Sequence, residues 1–151
     1  MASSKTWRPG SRRRAADEAV FPTPATHGAG ALVVPGVGYV RAVSRDFDTC
    51  EIMQPTSNLK LDVYIPPNQP NPSWLGTVAV EVNCPAVSHY RFMGPVNLTG
   101  KAQGQFHTLS FPVGADTVTL LDKGRDTCHF AITLNANANS GSWRFDKLRF
   151  E

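Results

Sequence analysis

The sequence predicts an all-β fold, a two-sheet antiparallel β-sandwich of jelly-roll type with eight or nine short strands behind a basic N-terminal tail. Three observations carry that expectation. Apolar residues recur at every second position, at the odd positions of Leu59-Lys60-Leu61-Asp62-Val63-Tyr64-Ile65 and the even ones of Thr77-Val78-Ala79-Val80-Glu81-Val82, the period of a strand with one buried face. Breakers punctuate the chain at Pro66-Pro67, Pro70, Pro72, Cys84-Pro85, Gly94-Pro95, Gly100, Gly104, Pro112 and Gly114, which limits each strand to a few residues. No segment sustains a helical period, although residues 115–121 have room for one turn. Short strands at such spacing bury their alternate residues between two sheets.

Taken in order, residues 1–30 read as a tail and linker, and residues 31–151 as the sandwich domain; 151 residues suffice for one core. Expected strands lie at 31–34, 38–43, 50–53, 59–65, 75–83, 90–98, 106–113, 127–134 and 143–150. The last two flank Asn135-Ala136-Asn137-Ala138-Asn139-Ser140-Gly141, residues that tolerate left-handed turn conformations, so the segment reads as a β-hairpin. The alternation places Leu61, Val63, Val80, Val82, Leu109, Phe111, Phe130, Ile132, Leu148 and Phe150 between the sheets. If Leu148 and Phe150 face inward with Asp146, strict alternation sends Trp143 and Phe145 outward, and a bulge reverses that.

The net charge of +3 conceals an asymmetry. Lys5, Arg8, Arg12, Arg13 and Arg14 put five positive charges in the first 14 residues without an acid, leaving 10 basic against 12 acidic residues, a charge of −2, from Ala15 onward. Any nucleic-acid or polyanion contact therefore belongs to the tail. The tail starts like a secretion signal, but Val20-Phe21 runs into Pro22 where an apolar stretch of roughly 7 to 15 residues would be needed. No run reaches the roughly 18 apolar residues of a membrane helix. Cys50, Cys84 and Cys128 cannot all pair within one chain; one disulfide with a free thiol and three reduced thiols both stay open, small buried hydrophobes are favoured over any redox or metal role, and the spacing fits no zinc site.

Catalysis is not expected. The acids are scattered singly, and no nucleophile elbow, zinc-protease motif or phosphate loop is present. His27, His89, His107 and His129 lack metal-ligand spacing.

From residue 58 to residue 150 the chain resembles the non-catalytic carbohydrate-binding modules of the β-sandwich type. The resemblance rests on Leu59-Lys60-Leu61-Asp62-Val63-Tyr64-Ile65-Pro66, Trp74-Leu75-Gly76, Val82-Asn83-Cys84-Pro85, Gly94-Pro95-Val96-Asn97-Leu98-Thr99 and Gly104-Gln105-Phe106-His107-Thr108-Leu109-Ser110-Phe111. Phe130-Ala131-Ile132-Thr133-Leu134-Asn135 and Asp146-Lys147-Leu148-Arg149-Phe150 complete it, with Lys147 where Asn is common. It implies an extracellular, lectin-like module that binds a polysaccharide.

Sugar recognition needs flat aromatic faces for the C–H surface of a pyranose and polar groups for its hydroxyls. The candidates are Trp74, Tyr90 and Trp143, with His89, Arg91, Asn137 and Asn139 as polar neighbours. The resemblance places Trp74-Leu75-Gly76 in a framework motif, so Trp74, like Trp143, is open between platform and core. Modules of this type often carry a structural calcium, and Asn135, Asn137, Asn139 and Asp146 fall at calcium-loop-like positions, with neutral amides where carboxylates supply affinity; a turn capping strand ends is the preferred reading of the Asn run. Asn97-Leu98-Thr99 is a glycosylation sequon in a secretory context.

An alternative from a different class is a jelly-roll shell protein, capsid-like and oligomeric, whose arm of Lys5, Arg8, Arg12, Arg13 and Arg14 binds nucleic acid. Charge segregation favours the shell, and the strand motifs favour the module.

Overall fold

The computed structural model describes residues 7–9, 19–21, 31–44, 46–49, 54–123 and 126–151. Among them are nine strands: β1 (Trp7–Pro9), β2 (Ala19–Phe21), β3 (Ala31–Ser44), β4 (Phe47–Asp48), β5 (Asn58–Ile65), β6 (Thr77–Cys84), β7 (His89–Asn97), β8 (Gln105–Pro112) and β9 (Thr127–Phe150). A nine-residue helix, α1 (Ala115–Lys123), replaces the single turn expected there, with Asp116 in its first turn, Lys123 in its last, and Thr117 and Leu121 buried. Those end charges complement the helix dipole.

The expected hairpin is absent. Residues 127–150 form one strand of 24 residues, paired antiparallel along its length with β3, from Val43↔Ala131 to Leu32↔Phe145. On its other side β9 pairs first with β6, from Asn83↔His129 to Thr77↔Asn135, and then with β5, from Tyr64↔Arg144 to Leu59↔Phe150. The β3–β9 ribbon therefore passes from one layer into the other. The first layer runs β7-β6-β9-β3 through the N-terminal half of β9, and the second runs β8-β5-β9-β3 through the C-terminal half. The Asn-rich stretch lies at the passage, where Asn139 (φ 59°) and Gly141 (φ 92°) take left-handed backbone and the register to β3 shifts. Left-handed residues serve bulges as readily as turns, and here they bend a continuous strand.

The core lies between the layers. Phe130, Ile132, Leu134 and Ala136 of β9 meet Leu61, Val63, Val80, Val82, Leu109 and Phe111 there, as the alternation predicts. Leu148 and Phe150 pack against this cluster while remaining half-buried. A bulge at Lys147 (φ 52°), where the register to β5 shifts between Lys60 and Asp62, turns Trp143 and Phe145 inward with Leu148 and Phe150 and leaves Asp146 opposite Asp62. Trp143 is fully buried, and its Nε1 donates to Ser140 Oγ at 2.9 Å, as a buried indole requires.

Cys84 and Cys128, opposite each other at the ends of β6 and β9, form a disulfide in the core. Of the two alternatives left open by the sequence, the disulfide is the one formed, a cross-link over 44 residues, worth about 4 kcal/mol on loop-closure grounds. Cys50 lies outside the described residues.

The tail is corrected in part. The backbone of β1 pairs with β3 at Ala42–Ser44 and that of β2 with Ala31–Val33, so six of the first thirty residues extend the sheet rather than lying apart from it. Arg8 belongs to β1, and Lys5, Arg12, Arg13 and Arg14 lie outside the described residues, as do residues 50–53, expected as a strand. No helix among the described residues is long and apolar enough to cross a membrane.

Candidate functional site

The first layer carries the site on its outer face. Because Val78, Val80 and Val82 of β6 point into the core, Thr77, Ala79, Glu81 and Asn83 point away from it. Register carries the same parity across the sheet: Glu81 stands between Phe92 on β7 and Ala131 on β9, Asn83 between Tyr90 and His129, and Thr77 between Asn97 and Asn135. On the far side β3 adds Val43 beside Ala131, Arg41 beside Thr133 and Tyr39 beside Asn135. The two central strands thus present the small side chains Ala79, Ala131 and Thr133, all buried, between large side chains on the flanking strands. The result is a trough crossing the strands. Tyr39 is 58% exposed, Tyr90 55% and Phe92 45%, three of the few large apolar side chains left in solvent among the described residues.

An ion pair occupies the floor. Arg41 Nη2 and Nε approach Glu81 Oε2 at 2.9 and 3.3 Å. Burial, then the Glu81 charge and a hydrogen bond between the two side chains, push the Tyr90 phenol above its ordinary pKa. At the β9 start, His129 Nδ1 lies 3.6 Å from Asp46 Oδ1.

The other end is built by the Pro-rich loop. Ser73 N–H donates to Asn71 Oδ1 and Trp74 N–H to the Asn71 carbonyl, a local turn. Gln69 Nε2 donates to the carbonyls of Pro66 and Ser140 at 2.9 and 2.8 Å and fastens the loop to the bend of β9. Gly76, at φ 115°, lies so close to the Asn135 carbonyl that a Cβ would overlap it, and this contact leads the loop onto β6 beside β9. Asn137, two residues beyond Asn135, donates its Nδ2 to the Trp74 carbonyl at 2.9 Å.

Of the sugar-binding candidates, Tyr90 lies in the trough and half-buried Trp74 stands at its Asn135–Asn137 end. Trp143 is corrected from platform to core, since a fully buried ring offers no face. His89 and Arg91 do not join Tyr90. They register with Cys84 and Val82, on the core-facing side of β7; His89 Nε2 meets Thr117 Oγ1 of α1 at 2.9 Å, and the Arg91 guanidinium lies against Gly114. Asn137 holds the loop, and Asn139 is exposed at the bend.

The four residues of the calcium-like spacing, Asn135, Asn137, Asn139 and Asp146, all lie on β9, with the bend at Asn139 and Gly141 before Asp146. Asp146 Oδ1 accepts from the Lys147 N–H. Among the described residues no group of three or more His, Cys, Asp or Glu is placed to hold a metal. In the sequon, Asn97 Oδ1 accepts from the Thr99 N–H at 2.9 Å.

Tyr39, Arg41, Glu81 and Phe92 escaped the sequence reading. The signal was there for two pairs, since Tyr39/Arg41 and Tyr90/Phe92 each alternate with residues of the opposite face, but their convergence depends on register between strands far apart in the chain.

No protein-family model and no curated sequence matches the chain. Solved structures share its fold. A non-crystalline cellulose specific carbohydrate-binding module, CBM28, superposes with a TM-score of 0.64 at 15% identity, covering 96% of this chain and 87% of that one. The xylan-binding module CBM15 gives 0.55 at 12% identity over 96% and 89%. A chain described with the promiscuous specificity of carbohydrate-binding modules from the β-sandwich superfamily gives 0.57 at 15% over 86% of this chain, which spans half of that one's length. The sandwich expected from the sequence is therefore the fold of such modules.

Proposed function

We propose that the protein is a non-catalytic module that binds a polysaccharide chain in the trough on the outer face of β7, β6, β9 and β3. The observation that carries this reading is the pairing of exposed aromatic side chains, Tyr39 on one flank and Tyr90 and Phe92 on the other, with a floor of small and polar residues. Aromatic faces receive the C–H surface of pyranose rings, and Thr77, Thr133 and Asn135 supply hydroxyl and amide partners. Among the described residues of β3, β6, β7 and β9 that face the trough, Glu81 is the one carboxylate, whereas glycoside hydrolysis ordinarily uses two flanking the scissile bond. The fold likeness to modules for cellulose and xylan supports the same reading, and favours it over the shell protein. A buried disulfide suits an oxidising, extracellular setting. Contact of the Arg-rich tail with polyanions remains part of the proposal.

Affinity electrophoresis against neutral and acidic polysaccharides tests it. At least one polymer is expected to retard the wild type, and Tyr90→Ala and Tyr39→Ala are each expected to weaken that retention by roughly tenfold, the equivalent of one stacked ring. Retention unchanged in both variants would move the site elsewhere, and no retention on any polymer would end the proposal.

A further inference from the structure

The centre of the trough holds an enclosed charge. Glu81 points away from the core, yet it is 8% exposed. Ala79, Ala131 and Thr133 surround it on the floor. A carboxylate so enclosed is costly unless paired, and the pairing is specific. The Arg41 side chain, 39% exposed, turns both Nε and Nη2 onto one oxygen, Oε2. The Tyr90 phenol lies near enough to the same carboxylate for burial and the Glu81 charge to raise its pKa.

We infer that the Arg41–Glu81 pair is the specificity-determining element of the trough and restricts it to neutral, hydroxyl-rich glycan chains, excluding those bearing uronate or sulfate groups. The inference rests on the trough being the glycan site. Anionic sugars are held by free guanidinium or ammonium groups that can form charge-assisted hydrogen bonds. Among the described residues of these strands that face the trough, Arg41 is the one Lys or Arg, and two of its nitrogens are committed to Glu81. The Glu81 carboxylate adds direct repulsion in a partly enclosed site, where charges interact more strongly than in bulk water. A neutral chain meets none of these costs, because a carboxylate accepts hydrogen bonds readily and sugar hydroxyls donate them. Like-charge opposition of this kind is worth about tenfold or more in affinity.

The test compares polymers that share a backbone and differ in charge: hydroxyethylcellulose with carboxymethylcellulose, and xylan with glucuronoxylan. Wild-type protein is expected to retain the neutral member of at least one pair about tenfold more strongly than its acidic counterpart. Glu81→Gln, which keeps the shape and removes the charge, is expected to narrow that ratio by at least about threefold, and Arg41→Gln to widen it, with folding of both checked by thermal melts. In the wild type the ratio is also expected to shrink as salt rises from about 0.02 to 0.5 M, since screening acts on charge and not on shape. Equal retention of neutral and acidic members overturns the inference while leaving the glycan site standing. So does a ratio that moves neither with salt nor in the variants, which would mark a steric filter. Retention of no polymer overturns the inference and the proposed function together.

Discussion

The two outer faces of the sandwich use aromatic side chains differently. On the second layer Tyr64, Phe106 and Arg144 share one register row across β5, β8 and β9. The Tyr64 and Phe106 rings lie 5.4 Å apart, and the Arg144 guanidinium sits 4.8 Å over Tyr64. Beside them Asp62 accepts from Thr108 Oγ1 at 2.7 Å and approaches Arg149 at 3.4 Å. The rings of this face are engaged with each other and with Arg144, whose buried Nε is left without a hydrogen-bond partner. On the first layer Tyr39, Tyr90 and Phe92 stand apart across a floor of small residues and keep roughly half their surface in water. Aromatic content therefore does not separate a binding face from a structural one; what separates them is whether the rings are already in contact with each other.

Three measurements put that contrast at risk. The largest effect belongs to the core beneath both faces. Phe130 is buried, stacks on Phe47 at 5.0 Å and lies 6.5 Å from Phe150, so Phe130→Ala is expected to cost about 3–5 kcal/mol in denaturant melts. A loss below about 1 kcal/mol would place it at the surface.

Next comes the contrast itself. Tyr64→Ala removes a ring pair and a cation–π contact and is expected to cost about 1–3 kcal/mol of stability with polysaccharide retention unchanged. Phe92→Ala is expected to show the reverse, a change below about 1 kcal/mol with retention clearly weakened. Equal behaviour of the two variants in both assays would erase the distinction between the faces.

The smallest effect is alkaline. The Tyr90 phenol is raised above its unfolded value by burial and by Glu81, so its contribution to stability is fully present below the unfolded pKa near 10 and is lost as pH rises through the higher folded value. Tyr90→Phe is therefore expected to lose melting temperature less steeply than the wild type above about pH 10. Parallel alkaline limbs would show that the Tyr90–Glu81 contact contributes nothing to folding.

Alternation of side chains is a local property, legible without any tertiary contact. From it come the all-β class and the core rows on β5, β6, β8 and the start of β9. Its limits are physical too. Asn139 and Gly141 could serve a turn or a bend, because both use the same left-handed backbone, and only pairing with β3 along the whole of β9 selected the continuous strand. One added residue at Lys147 reverses every side chain before it, which moved Trp143 from the surface to the core. The trough was beyond reach for a related reason. Tyr39, Glu81 and Tyr90 come from three strands far apart in the chain, and only the tertiary register, set by burial of the opposite faces of those strands, brings them to one surface.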